Sequence, residues 1–257
     1  MSPFRPSVLA AMLPKLERWT PLGPDDRSAI AALPHKVRRV GPSHYVVREG
    51  DRTENSCLLL SGFAYRSKIV GDGGRQIVAL HVKGDMIDLQ NSLLGIADHN
   101  VQALTAIEIA VIPREAILKL ADERPAVARA MWHDTLVDGS VQREWTANIG
   151  RRDSKTRMAH LLCEFALRLE NAGIGQLCNY ELPMTQEQLA DCLALTPVHV
   201  NRTLKLLEKE ALISRTVRSV KIEDWEKLAR EGDFNTTYLH VDLQGRSIDP
   251  VPALRLA

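Results

Sequence analysis

Residues 184–213 read MTQEQLADCLALTPVHVNRTLKLLEKEALI and look helical from end to end, yet a proline stands at 197. Inside a helix, proline removes a donor and clashes with the preceding turn, costing about 3 kcal/mol. One long helix is therefore excluded, and two shorter ones are predicted. Thr185 suits an N-cap, and Gln188, three residues on, completes a capping box. Leu189, Ala190 and Leu193 give this first helix an apolar face, and it ends near Ala194. Thr196 caps the second helix, with Pro197 at its first position, where a missing N–H costs nothing. Val200, Leu204 and Leu207 bury one face, while His199, Asn201, Arg202 and Lys205 lie more outward. Two helices, a short turn and polar groups at the head of the second describe a helix-turn-helix.

The residues that follow separate this reading from an ordinary helical hairpin. In ALISRTVRSVKI, Ile213, Val217, Val220 and Ile222 are strand-like, and Arg215, Arg218 and Lys221 are basic. This predicts a two-stranded wing, and IEDWEKLAREGDF a closing helix. The net charge of +1 announces no nucleic-acid binder, and residues 150–257 carry 15 basic against 15 acidic side chains. Between 196 and 222, however, six Lys and Arg face only two Glu. A local excess of this kind is what phosphate neutralisation requires.

The rest of the chain predicts an α+β protein. Residues 7–33 read as two short helices. From about 36 to 112, β-rich runs such as HYVVREGD, SCLLLSGFAYRSKIV, QIVALHVKGD and IEIAVIP alternate with glycine turns, with NSLLGI as a short helix. That texture predicts an antiparallel roll or barrel. REAILKLADERP is a short helix and AVARAMWHDTLVDGSVQREWTANI a long one. Ala130, Val137, Val141 and Trp145 fall near one face of the long helix, and Gly139 and Ser140 would admit a close partner helix. We read this face as a homodimer seam, the alternative being packing on its own domain. GRRD at 150–153 suggests a hinge, with Gly150 leaving the helix and Asp153 capping the next. The divisions are a β-roll domain over 1–125, a dimerisation helix and hinge over 126–150, a winged helix-turn-helix over 151–234 and a tail over 235–257.

The N-terminal apolar run is interrupted by Pro14, Lys15, Glu17 and Arg18, unlike a signal peptide, and no run reaches the roughly 18 apolar residues of a membrane span. A cytoplasmic chain is expected. Cys57, Cys163, Cys178 and Cys192 form no CxxC pair, which disfavours a zinc ribbon or dithiol site and predicts free thiols.

TQEQLA, VHVNRTLKLLEKEALI and the wing after them resemble the winged helix-turn-helix of the Crp/Fnr superfamily of bacterial transcription regulators. REGD at 48–51, LLSGFAY at 59–65 and VKGDMIDL at 82–89 resemble the glycine turns of that family's cyclic-nucleotide-binding-like β-roll, a double-stranded β-helix. The resemblance implies a homodimer on double-stranded DNA, with a near-palindromic operator, RNA polymerase as a further partner and a small-molecule effector. It implies base contacts from Pro197, Val198, Asn201 and Arg202, and phosphate contacts from Thr185, Thr196, His199, Lys205, Arg215 and Arg218. Many members have an acid where Val198 stands, and cyclic-AMP-type members an arginine where Pro197 stands, so the usual half-site does not carry over.

The effector site departs further. Cyclic-nucleotide binders place a glutamate near Leu89 and an arginine in the segment that reads ADHNVQA here, where His99 is a weak substitute. Cyclic AMP is therefore not expected. The family's N-terminal iron–sulfur cysteines are missing before Cys57, and His44 and His81 lack a paired axial ligand for haem. No cofactor, metal or enzymatic activity is expected. Two alternatives stand beside this reading. One is a constitutive DNA binder with no effector. The other is a cupin-like metal enzyme using His44 and Glu49, although Val46 occupies the place of a required second histidine.

Overall fold

Glycine turns break the first half of the chain into short antiparallel strands, and capped amphipathic helices dominate the second. The computed structural model describes residues 7–18 and 20–241; the tail from 242 onward lies outside them. The chain divides into two compact units between Asp138 and Gly139.

In the first unit a 3-10 turn (Val8–Met12) runs into α1 (Leu13–Leu16), and α2 (Pro24–Ala31) follows. Seven strands come next: β1 (Lys36–Val40), β2 (Tyr45–Val47), β3 (Asn55–Ser61), β4 (Ala64–Ile69), β5 (Arg75–His81), β6 (Asn100–Ala103) and β7 (Ile107–Pro113). α3 (Asn91–Leu94) lies between β5 and β6, and α4 (Arg114–Glu123) and α5 (Pro125–Arg151) follow β7. The strands form two antiparallel sheets, ordered β1-β7-β3 and β2-β6-β4-β5. Alternation along the strands sorts their side chains into two cores. Leu59, Ile107 and Ile109 join Val47, Ala64, Val101 and Ala103 inside the roll. Leu58, Ala110 and Ile112 point the other way, against Leu9, Met12, Ile30, Ile117 and Val127 of the helices. The run SCLLLSGFAYRSKIV is two strands in different sheets, because Gly62 turns the chain between them at φ +77°. A Cβ there would stand 2.3 Å from the Ala106 carbonyl oxygen, so only glycine fits.

The second unit holds α6 (Ser154–Asn171), β8 (Asn179–Glu181), α7 (Gln186–Leu193), α8 (Pro197–Lys209), β9 (Ile213–Arg215), β10 (Ser219–Ile222) and α9 (Trp225–Glu231). Asp153 caps α6, accepting from the Lys155 and Thr156 amides at 2.9 and 3.0 Å. Gly150 does not leave the helix as expected, since α5 continues to Arg151.

After α9 the chain folds back onto α6. The Glu164 carboxylate, fully buried, accepts from the Trp145 indole at 3.0 and 3.1 Å and from the Tyr238 hydroxyl at 2.9 Å. His160 Nδ1 meets the Gly232 carbonyl at 2.9 Å, and burial lowers its pKa, keeping the ring neutral. A Cβ on Gly232 would lie 2.7 Å from the His160 amide nitrogen and 2.9 Å from the Ala159 carbonyl carbon. Both are backbone atoms in mid-helix and cannot step aside. Gly232→Ala is expected to lower stability by about 1–3 kcal/mol, read as a lower urea midpoint at unchanged slope.

Ala130, Val137, Val141 and Trp145 are all buried within their own chain, Ala130 in the helical core of the first unit and Trp145 against Glu164. Side chains already covered have no face to offer a second copy. The outward face of α5 instead carries Trp132, 68% exposed, and Leu136, 54% exposed, with Gly139 and Arg143 at the next positions of the same stripe. Gly139 keeps its place on an accessible face, whereas Ser140 is buried and accepts from Arg143 at 2.7 Å.

Candidate functional site

The predicted break at Pro197 is built in three parts. Thr185 and Gln188 form a reciprocal capping box, with bonds of 3.2 and 2.9 Å. α7 stops at Leu193, and Ala194 takes a left-handed conformation (φ 52°) that turns the chain. Thr196 then accepts from the His199 amide at 3.3 Å, and Pro197 opens α8. Arg157 of α6 fastens the turn from below, donating to the Leu193 carbonyl at 2.9 Å and the Arg152 carbonyl at 2.8 Å. Sequence reasoning did not find Arg157, because its partner is 36 residues away.

Val200, Thr203, Leu204 and Leu207 bury one face of α8. The opposite face begins with Pro197, Val198 and His199, all exposed, and continues through half-buried Asn201 to exposed Arg202 and Lys205. Val198 is 80% exposed, an apolar side chain presented to solvent at the head of the helix. Among the described residues neither Arg202 nor Lys205 has an acidic partner within ion-pair distance. Thr185 and Thr196 are exposed at the two N-caps, and a hydroxyl that accepts a capping bond keeps its hydrogen to donate.

The wing is a three-stranded sheet rather than two, ordered β8-β10-β9, with Val220 opposite Tyr180 on one side and Arg215 on the other. At its tip Thr216 Oγ1 accepts from the Ser219 amide at 3.1 Å, leaving Val217 and Arg218 exposed. Arg215 stands apart from the other basic residues. Its guanidinium grips Glu208 through Nε and Nη2 at 3.0 and 3.1 Å, which ties the wing to α8. Lys221 pairs with Glu223 at 2.7 Å. Arg202, Lys205 and Arg218 therefore line the face with charge that the fold itself does not use.

The roll interior has different chemistry. Leu89 is buried where a ribose-binding glutamate would stand in a cyclic-nucleotide site. His99 donates through Nδ1 to Asp98 at 2.6 Å, and burial together with Arg66 lowers its pKa, so it supplies no cation. A cation does stand elsewhere in this interior: Arg66 of β4, which is only 6% exposed. Its Nε donates to the Ile87 carbonyl at 3.0 Å and its Nη2 to Gln90 at 3.3 Å, while Nη1 pairs with Asp138 of α5. The cupin pairing does not form: His44 Nδ1 meets the Pro42 carbonyl at 3.0 Å, and Glu49 pairs with Lys68.

A β-roll on one unit and a basic winged helix-turn-helix on the other define a DNA-binding transcription regulator with an attached sensor-type domain. Residues 156–231 match the Crp-like helix-turn-helix domain, and residues 37–124 the cyclic nucleotide-binding domain. The transcriptional activatory protein AadR of Rhodopseudomonas palustris is 28% identical over 79% of this chain and 83% of its own length. The transcriptional activator protein FnrL of Cereibacter sphaeroides is 26% identical over 72% of this chain and 76% of its own. The solved structure of FixK2 from Bradyrhizobium japonicum shares the fold, with a TM-score of 0.72 at 23% identity over 77% of this chain and 97% of that one. The chain thus carries a Crp-like helix-turn-helix domain and a cyclic nucleotide-binding domain, and its relatives include named regulators of the Crp/Fnr type.

Proposed function

We propose that this regulator acts as a cytoplasmic homodimer on a near-palindromic operator, each copy placing the head of α8 in a major groove. The observation that carries the reading is the exposed front of α8, where Arg202 has no acidic partner among the described residues. Pro197, Val198, Asn201 and Arg202 read bases; Thr185, Thr196, His199, Lys205 and Arg218 hold phosphates. Arg215, already paired with Glu208, contributes mainly by fixing the wing. No helix among the described residues is long and apolar enough to cross a membrane, in keeping with this location. RNA polymerase is the partner expected of a protein whose relatives include named activators. Selection from a random DNA library tests the reading directly. It should return an inverted repeat with half-sites about one helical turn, roughly 34 Å, apart. Recovery of unrelated sequences would reject it.

Cyclic AMP is expected to change neither melting temperature nor operator affinity. Leu89 gives the ribose no acceptor, and the buried Arg66 already has its charge met by Asp138. Calorimetric titration that returned a saturable binding curve would refute this.

A further inference from the structure

Arg66 is an unusual residue to find inside a roll. β4 alternates so that Ala64 and Arg66 share the inward face, opposite His81 and Ala79 of β5. Ala64 belongs to the apolar core, and the guanidinium beside it is withdrawn from water. Burying a charge is costly unless it is paired, so such a site persists only with a counter-ion. That counter-ion is Asp138, whose side chain is 35% exposed, at the end of the first unit. Against the burial that would raise it, Arg66 holds the Asp138 carboxyl below its ordinary value.

The surroundings contain more polar capacity than the fold consumes. His81 Nε2 is buried with no hydrogen-bond partner among the described residues. Burial and then Arg66 lower the His81 pKa to about 4, so the ring is neutral, with Nδ1 3.5 Å from Asp85. Gln90 joins the guanidinium to His99 at 3.4 Å. Buried polar atoms in native proteins are nearly always satisfied, by protein groups, water or a bound molecule.

We propose that Arg66 anchors a binding site for a small organic acid inside the roll, and that Asp138 is the internal carboxylate this ligand replaces. The site deepens the regulator reading by giving the sensor domain a ligand class, and it rests on that reading for its biological role. The class follows from charge and shape. The guanidinium is a planar fork that matches a carboxylate through two parallel bonds. One cation, with its present partner displaced, balances one carboxylate. The neighbouring Lys15 cannot help, since Asp85 and Asp134 hold it at 2.8 and 2.9 Å. A doubly charged phosphate among Asp85, Asp134 and Asp138 would meet net repulsion. His81 Nε2 and the Gln90 amide would serve the ligand's remaining polar atoms. Because Asp138 belongs to α5, an acid that takes its place also unties β4 from the helix that runs on toward the DNA-binding unit.

The test uses the full chain, with sodium acetate as probe and sodium chloride of equal ionic strength as control. Melting temperature is followed for wild type, Asp138→Ala and the isosteric Asp138→Asn. Acetate should raise the melting temperature of both variants saturably, with at least tenfold higher apparent affinity than for wild type. Adding Arg66→Gln to either variant should abolish the response, and inorganic phosphate should not reproduce it. If Asp138→Ala does not fold, Asp138→Asn decides. An acetate response no larger than that to chloride, one that survives loss of Arg66, or an equal response to phosphate would overturn the proposal. Operator binding is measured on the same samples. Intact operator binding without an acetate response removes this inference alone, whereas wild type that selects no operator removes the regulator reading and leaves the acetate result standing.

Discussion

Trp132→Glu is expected to convert the protein to a monomer and to weaken operator binding by a factor on the order of 10²–10⁴. Trp132 and Leu136 are large apolar side chains, one turn apart on the outward face of α5, and both are mostly exposed. Exposed aromatic anchors of this kind are what association buries. The size of the effect comes from linkage. With two α8 helices held together, the second half-site is engaged as an intramolecular event, and separating them loses that effective concentration. A charge at an exposed position costs the monomer fold little, usually within about 0.5 kcal/mol. The variant should therefore melt close to wild type when both are monomeric, while sedimenting at half the mass. Val141→Asp would not serve, because Val141 is buried and a carboxylate there would unfold the helix packing. Leu136→Glu should reproduce the Trp132→Glu result. A dimer that survives both substitutions would place the seam elsewhere.

The difference between these two faces of α5 shows where sequence reasoning reached its limit. The helix, its approximate ends and one of its apolar stripes were legible from periodicity, and so was the break at Pro197, because capping and proline rules are local. Which of two apolar faces turns inward is not local. Ala130 and Val127 pack on Leu120 and Ile117 in one core, and Trp145 finds Glu164 on the next helix. Arg157 and Arg66 escaped for the same reason, each acting on a partner far along the chain. Arg66 did leave a signal: an arginine in phase with Ala64 on a strand whose alternate residues are core. β6, with its polar run NVQA, left none, since it becomes a strand only by pairing with β2 and β4. The third strand of the wing is likewise set by pairing, with Leu182 donating to the Arg218 carbonyl at 2.9 Å.

Arg202→Ala is expected to cost about 1–3 kcal/mol of specific binding and to relax preference at one base pair in each half-site. Pro197 starts α8, so residues 197, 198, 201 and 202 share its leading outward face. Arg202 is the charged member of these four, with a long stem and a fork that matches the O6 and N7 of guanine. An arginine is often present only to pair with a neighbouring acid, and Glu208 is the acid nearest along this helix. Glu208 is held instead by Arg215, through both of its carboxylate oxygens. Arg202 is thus left with nothing to do for the fold, and its removal should not move the melting temperature. Lys205 gives the contrasting result. As a point charge aimed at phosphate, its loss should weaken all sequences alike and reduce the slope of log affinity against log salt by about one. Arg215→Ala should behave in a third way, lowering stability as it releases Glu208 and loosens the wing. Random-site selection with the Arg202→Ala protein separates these roles. A selected operator identical to that of wild type would show that Arg202 touches no base.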